Sequence, residues 1–167
     1  MSNKLTTSDH IRPATLNDAQ EIVALYHSLI GMPGCTWSVE YPAMEDVERD
    51  LSKGALWVLR VDGELAGAVS IGEPGDVGLL GWESQHPAEL SRLAVAHGFQ
   101  GQGLANALIT HAITTARTAG FDGVILLVFP ENLSARHLYQ KHGFTPDGEV
   151  FAWNHPWVKY QRTFAPV

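Results

Sequence analysis

The stretch from Glu89 to Phe129 constrains the fold more than any other part of the chain. Glu89 to Val95 reads as a strand, a turn with glycines at 98, 101 and 103 follows, and a helix runs from about Leu104 to Ala119. Leu104, Leu108, Ala112 and Ala116 fall on one inner face of that helix, and Gly120 ends it. Val124 to Phe129 is then an unbroken apolar run, the pattern of a strand buried on both faces. Strand, helix and buried strand in that order imply a layered α/β domain with a mixed sheet.

The flanking segments fit around this centre. Ile11-Arg12-Pro13-Ala14 reads as a short strand. Thr15 and Asp18 have the spacing of a capping box, and Ile22, Leu25, Tyr26 and Leu29 share one face of the helix behind it. A second helix is expected from Pro42, with Met44, Val47 and Leu51 inward and Gly54 as its stop. Leu56 to Val61 and Leu65 to Ile71 form a hairpin across Asp62-Gly63. Residues 72 to 86 are glycine-rich and predict a long loop. Asn132 can cap a last helix holding Ala135, Leu138 and Tyr139, closed by Gly143, and Phe151 to Phe164 supplies the final strand or strands.

The 167 residues suit one domain, expected over residues 10–165 with a loose tail over 1–9. The single cysteine, Cys35, allows no internal disulfide, and the polar N-terminus does not read as a signal peptide, so a cytoplasmic location is expected. No apolar run approaches the roughly 20 residues of a membrane helix, so no membrane partner is expected. A net charge of -7 argues against a nucleic-acid partner. The eight histidines include no His-x-x-x-His pair, so no metal is expected.

The turn between Val95 and Ala105 carries the chemistry. The first amides of a helix lack internal partners and carry partial positive charge, and glycines let a ligand approach the backbone closely. Such a turn can cradle a pyrophosphate. Glycine spacing alone fits a plain strand-to-helix connection equally well. No Lys-Ser/Thr follows the glycines, and their spacing is not that of a dinucleotide fold, which excludes two common nucleotide motifs.

Gln100-Gly101-Gln102-Gly103-Leu104-Ala105 resembles the (Gln/Arg)-x-x-Gly-x-(Gly/Ala) signature of the GNAT superfamily of N-acetyltransferases, and Leu93-Ala94-Val95 is similar to the strand leading into it. Farther on, Asn132, Ala135, Leu138-Tyr139, Lys141 and Gly143-Phe144 resemble the second motif of that family. The resemblance covers residues 10 to about 165. It implies a mixed, mostly antiparallel central sheet flanked by helices, with splayed strands forming an acyl-CoA cleft. It further implies that the amides from Gln100 to Ala105 hold the coenzyme pyrophosphate and that Leu93 to Val95 pair with the pantetheine arm. Asn132 is implied to bond the pantetheine or help place the acceptor, beside Ala135. Lys141 either reaches the phosphates or is solvated.

Acyl transfer needs a neutral amine, a donor for the oxyanion and a proton for the departing thiolate. By resemblance Tyr139 is the acid, although helix spacing alone would make it a core residue. Glu89 resembles in position the general base of histone-type members, or is a strand-end carboxylate; with Ser91, Leu93 and Val95 it is expected on one strand face. Glu83 and His86 are rival bases. Trp37, Tyr41, Trp82, Trp153 and Trp157 are candidates for an acceptor pocket or for core positions, with Trp37, Trp82 and Glu83 the expected substrate contacts. The resulting expectation is an acetyl-CoA-dependent N-acetyltransferase acting on a small-molecule amine or amino acid, with a homodimer left open. The alternatives are acetylation of a protein or peptide amine, and a non-catalytic acyl-CoA sensor.

Overall fold

The computed structural model describes residues 11–166. The tail expected over residues 1–9 lies outside them. In chain order the elements are β1 (Ile11–Pro13), α1 (Ala19–Ser28), α2 (Met44–Ser52), β2 (Leu56–Val61), β3 (Glu64–Gly72), β4 (Pro87–Val95), α3 (Leu104–Thr118), β5 (Gly123–Val128), α4 (Leu133–Lys141), β6 (Thr145–Ala152) and β7 (His155–Thr163). Single 3-10 turns at Leu16–Asp18, Asp76–Leu79 and His97–Phe99 sit in the connections.

The strands form one seven-stranded sheet in the order β1-β2-β3-β4-β5-β7-β6. Every neighbouring pair is antiparallel except β4 and β5. On one face α3 and α4 bury Leu108, Ile109, Ala112 and Phe144 against Val69, Ile71 and Leu126. On the other, α1 and α2 bury Ile22, Tyr26 and Val47 against Val58, Ala68 and Ala94. Apolar periodicity thus places each helix, because removing these stripes from water is the main favourable term of folding.

β4 and β5 pair only at Pro87–Gly123, Ala88–Val124 and Glu89–Ile125. Beyond that point they diverge. β4 stays on β3 and β5 stays on β7. The expected splay is therefore present, and it opens a wedge in the middle of the sheet.

Several local expectations need correction. α2 begins at Met44 rather than Pro42, and its buried face includes Asp46 and Asp50 beside Val47. The final strands are a hairpin that starts at Thr145, well before Phe151. Its two-residue turn is Trp153-Asn154, with φ of 50° and 60°, a primed turn built without glycine. β6 is an edge strand with mostly exposed residues, so burial imposed little pattern on its sequence. Glu89, Ser91, Leu93 and Val95 do not share one face. In the β3–β4 ladder Ser70 faces Ser91 and Ala68 faces Ala94, so Val69 alone stands opposite Arg92 and Leu93. Arg92 takes φ 49°, and this bulge reverses the alternation. Ser91 and Ala94 face α1 and α2, whereas Leu93 and Val95 pack on the α3 side.

Candidate active site

The wedge between β4 and β5 widens into a cleft of about 860 Å³. Its walls include Leu93 and Val95 from β4, Leu127 and Val128 from β5, Asn132 just before α4 and Tyr139 within it. Beyond Glu89 the β4 edge has no ladder partner on the β5 side, so its peptide groups can accept an extended chain as a strand would.

At one mouth of the cleft lies the glycine turn. Gly103 caps α3 with φ 79°, and Gly101 takes the same value. The helix ladder starts with Ala107 N–H donating to the Gly103 carbonyl at 3.2 Å, so the preceding helix amides have no partner within the helix. A Cβ added at Gly101 or Gly103 would meet nothing within 4 Å. The turn thus combines free amides, the positive helix end and open space, which together suit an anion such as a pyrophosphate. Gln100 and Ala105 line the cleft, and Gln100 Nε2 donates to the Val95 carbonyl at 3.3 Å. The Leu104 side chain is buried in the core and Gln102 is exposed, so both bear on this mouth through their backbone.

The second motif shapes the opposite wall. Asn132 Oδ1 accepts the Ala135 N–H at 3.2 Å and so caps α4, as its place in the sequence implied. Its Nδ2 is 3.5 Å from the Gly34 carbonyl, in the loop between α1 and α2. A Cβ at Gly34 would come within 2.7 Å of Asn132, so only glycine allows this approach. Tyr139 faces the cleft one turn beyond Ala135, and its ring stands edge-on to Phe144 at 5.6 Å. The Gly143-Phe144 step closes α4, with Phe144 N–H donating to the Tyr139 carbonyl at 3.1 Å, which fixes the tyrosine in place. Burial raises the Tyr139 pKa above its ordinary value. Lys141 is exposed at the end of α4 and is not part of the cleft wall.

A smaller polar pocket of about 240 Å³ adjoins the cleft, sharing Glu89, Ser91, Arg92 and Tyr41 with it. Glu89 accepts the Gly75 N–H at 3.1 Å. Burial raises its pKa, opposed by that hydrogen bond and by the Arg92 charge. Arg92 donates from Nε and Nη2 to the two Asp50 oxygens, each at 2.8 Å, and from Nη1 to the Tyr41 hydroxyl at 2.9 Å. Ser70 also donates to Asp50, at 2.7 Å.

Of the aromatic candidates, Trp37, Tyr41, Trp153 and Trp157 line the cleft. Trp82, Glu83 and His86 do not border either cavity. Trp82 donates to the Val77 carbonyl and lies under Lys159, Glu83 is held by Gln161, and His86 stacks on Phe121. The residues that sequence reasoning missed are Asp50 and Arg92. Two signals were available: an aspartate three residues after Val47 on the inward face of α2, and the adjacent polar pair Ser91-Arg92 breaking the strand alternation. No group of three or more His, Cys, Asp or Glu placed to hold a metal occurs among the described residues. No helix among them is long and apolar enough to cross a membrane.

The profile of the acetyltransferase (GNAT) family matches residues 22–144. "N-acetyltransferase family 8 member 2" of Rattus norvegicus is 32% identical over 101 residues, which cover 59% of this chain and 42% of that protein. Mycothiol acetyltransferase of Beutenbergia cavernae is 47% identical over 58 residues, or 35% of this chain and 20% of that protein. The chain thus spans less than half the length of these two relatives. Among solved structures, yncA of Salmonella typhimurium, determined with its cofactor acetyl-CoA, superposes with a TM-score of 0.68 at 21% identity, covering 94% of this chain and 96% of that one. At that identity the likeness is one of fold.

Proposed function

The chain belongs to the acetyltransferase (GNAT) family, and from that premise we propose that it transfers an acetyl group from acetyl-CoA to a primary amine of a small molecule or amino acid, by direct attack in a ternary complex. The observation that carries this reading is the wedge between β4 and β5, with the glycine turn at one mouth and the Glu89 pocket beside it. The amides from Gln100 to Ala105 bind the pyrophosphate, and the open edge of Leu93 to Val95 pairs with the pantetheine arm. Asn132 and Ala135 form the facing wall. Lys141 acts at most on the outer phosphates.

In the reaction, the amine nitrogen attacks the thioester carbonyl carbon as a neutral nucleophile. A main-chain N–H near Val95 bonds the oxygen that becomes negative. As the C–S bond breaks, the Tyr139 hydroxyl gives its proton to the sulfur. A phenol whose pKa is raised by burial is protonated at neutral pH. The thiolate forms in the same poorly solvated cleft, where it too is a stronger base than in water. Glu89 takes the proton lost by the amine. Trp37 contributes to the acceptor wall. Trp82 and Glu83 lie outside both cavities and make no direct acceptor contact, and the presence of Tyr139 in the cleft favours an enzyme over a sensor.

The small volume of the pocket beside Glu89, about 240 Å³, favours a compact acceptor over a polypeptide. The test is a screen of amines, amino acids and lysine-containing peptides that follows thiol release from acetyl-CoA. Small amines should stimulate release. Stimulation by peptides alone would transfer the reading to protein acetylation.

Glu89→Gln should lower kcat/KM by about 10²–10⁴-fold, the usual range for a lost general base, and remove the low-pH limb of its profile. The base works ionised, so activity rises with pH through its pKa. Because burial raises that pKa, the limb in the parent enzyme should lie above the ordinary carboxylate value of about 4.3. A limb that persists in Glu89→Gln would exclude Glu89 and favour water-relayed transfer to Glu83 or His86.

A further inference from the structure

Arg92 is a mostly buried cation at the one point where the β3–β4 ladder loses register. Its backbone sits at φ 49°, a conformation that is strained for a residue with a Cβ and persists only where the surroundings hold it. What holds it is Asp50, a carboxylate on α2 with a side chain only 5% exposed, which takes both arms of the guanidinium fork and also the Ser70 hydroxyl. The third arm of the guanidinium reaches Tyr41, in the loop before α2. One buried carboxylate therefore ties together α2, β3, the bulge of β4 and the loop that walls the cleft. A planar fork engaged on all sides is a rigid connection, which lysine cannot reproduce.

We propose that Asp50 is a positioning residue for acetyl transfer: by clamping Arg92 it holds the β4 bulge, and so aims the Leu93–Val95 backbone into the cleft. The inference rests on the acetyl-CoA reading above. Asp50 touches no reacting group. It acts through Arg92 on the three residues that line the thioester end of the cleft. The bulge is what turns Leu93 and Val95 to the α3 side while Ser91 and Glu89 stay toward the polar pocket. Without the clamp, the strained residue relaxes toward regular strand geometry and this division is lost.

The experiment is a titration of the ¹⁵N-labelled full chain with acetyl-CoA, read as amide shifts. In the parent protein two groups should respond, Gly101–Ala105 at the pyrophosphate and Leu93–Val95 at the thioester. In Asp50→Asn and in Arg92→Lys the Leu93–Val95 response should fall to less than about half while the Gly101–Ala105 response persists, because the glycine turn is independent of the clamp. Asp50→Glu, which keeps the carboxylate, should recover part of the lost response. Val47→Ala, one turn earlier on the buried face of α2, should lower thermal stability yet leave both responses intact, separating positioning from general loosening. If Asp50→Asn does not fold, Arg92→Lys carries the test alone. A normal Leu93–Val95 response in the folded variants overturns the proposal. Absence of the Gly101–Ala105 response in the parent protein would instead overturn the coenzyme reading on which it stands.

Discussion

Tyr139→Phe lowers kcat by about 10²–10⁴-fold, the usual cost of losing a positioned general acid, while acetyl-CoA affinity changes by no more than about twofold. The two effects separate because the substitution removes one oxygen and keeps the ring. Phe at 139 still packs edge-on to Phe144 and still follows the Asn132 cap, so α4 keeps its place. On the proposed binding mode the coenzyme is held mainly by the glycine turn and the β4 edge, neither of which the phenol builds. Steady-state turnover alongside calorimetric titration with acetyl-CoA checks both halves. Turnover near the parent value would remove Tyr139 from the chemistry and leave it a packing residue. The high-pH limb of the parent enzyme offers a second check. Burial raises this phenol, so loss of activity through its ionisation should begin above the ordinary value near 10.

Gly103→Val should weaken acetyl-CoA binding by on the order of 10²-fold. Two causes act together. A branched residue at φ 79° is strained by about 1–2 kcal/mol, so the turn moves away from the geometry that presents its amides. The added side chain also enters the open space above the turn, where the pyrophosphate is proposed to lie. Each 1.4 kcal/mol is worth about a factor of ten in affinity. Gly103→Ala shares part of the strain and fills less of the space, so its loss should be smaller. Calorimetry on folded variants measures both, and parent-like affinity in Gly103→Val would overturn the assignment of the turn.

What was legible in the sequence followed from local rules. The turn at 98–105, the strand Val124 to Phe129 and the hairpin at Asp62-Gly63 each depend on residues close in the chain, and each stands in the fold. Asn132 was legible as a cap from its residue type and place, and Tyr139, which the family motif singles out, lies on the cleft wall. The errors arose where distant contacts override local pattern. The face of Glu89 was misjudged because strict alternation was extended through Arg92, whose bulge is held by Asp50, 42 positions away. The final hairpin starts earlier than the expected Phe151 because Pro146-Asp147-Gly148 reads as a loop, and only pairing with β7 makes that stretch a strand. Trp82 and Glu83 read as part of the site because they precede β4 closely, yet Val77 and Gln161 hold them away from it.

The three residue pairs that join β4 to β5 have a mechanical meaning. The sheet is continuous in its hydrogen bonding, but only this short seam joins its two leaves. One leaf is β1 to β4, and the other is β5, β7 and β6. Asp122 pins the foot of that seam by accepting from Ser84 and from the Gln85 and His86 amides, and its own N–H donates to the His86 carbonyl. Leu108, Ile109 and Ala112 of α3 belong to one core with Val69 and Ile71 of the first leaf and Val124 and Leu126 of the second, so side-chain packing rather than ladder bonding spans the divergence toward Val95 and Val128. The width of the gap is therefore set by what packs behind the sheet as well as by the side chains that line it.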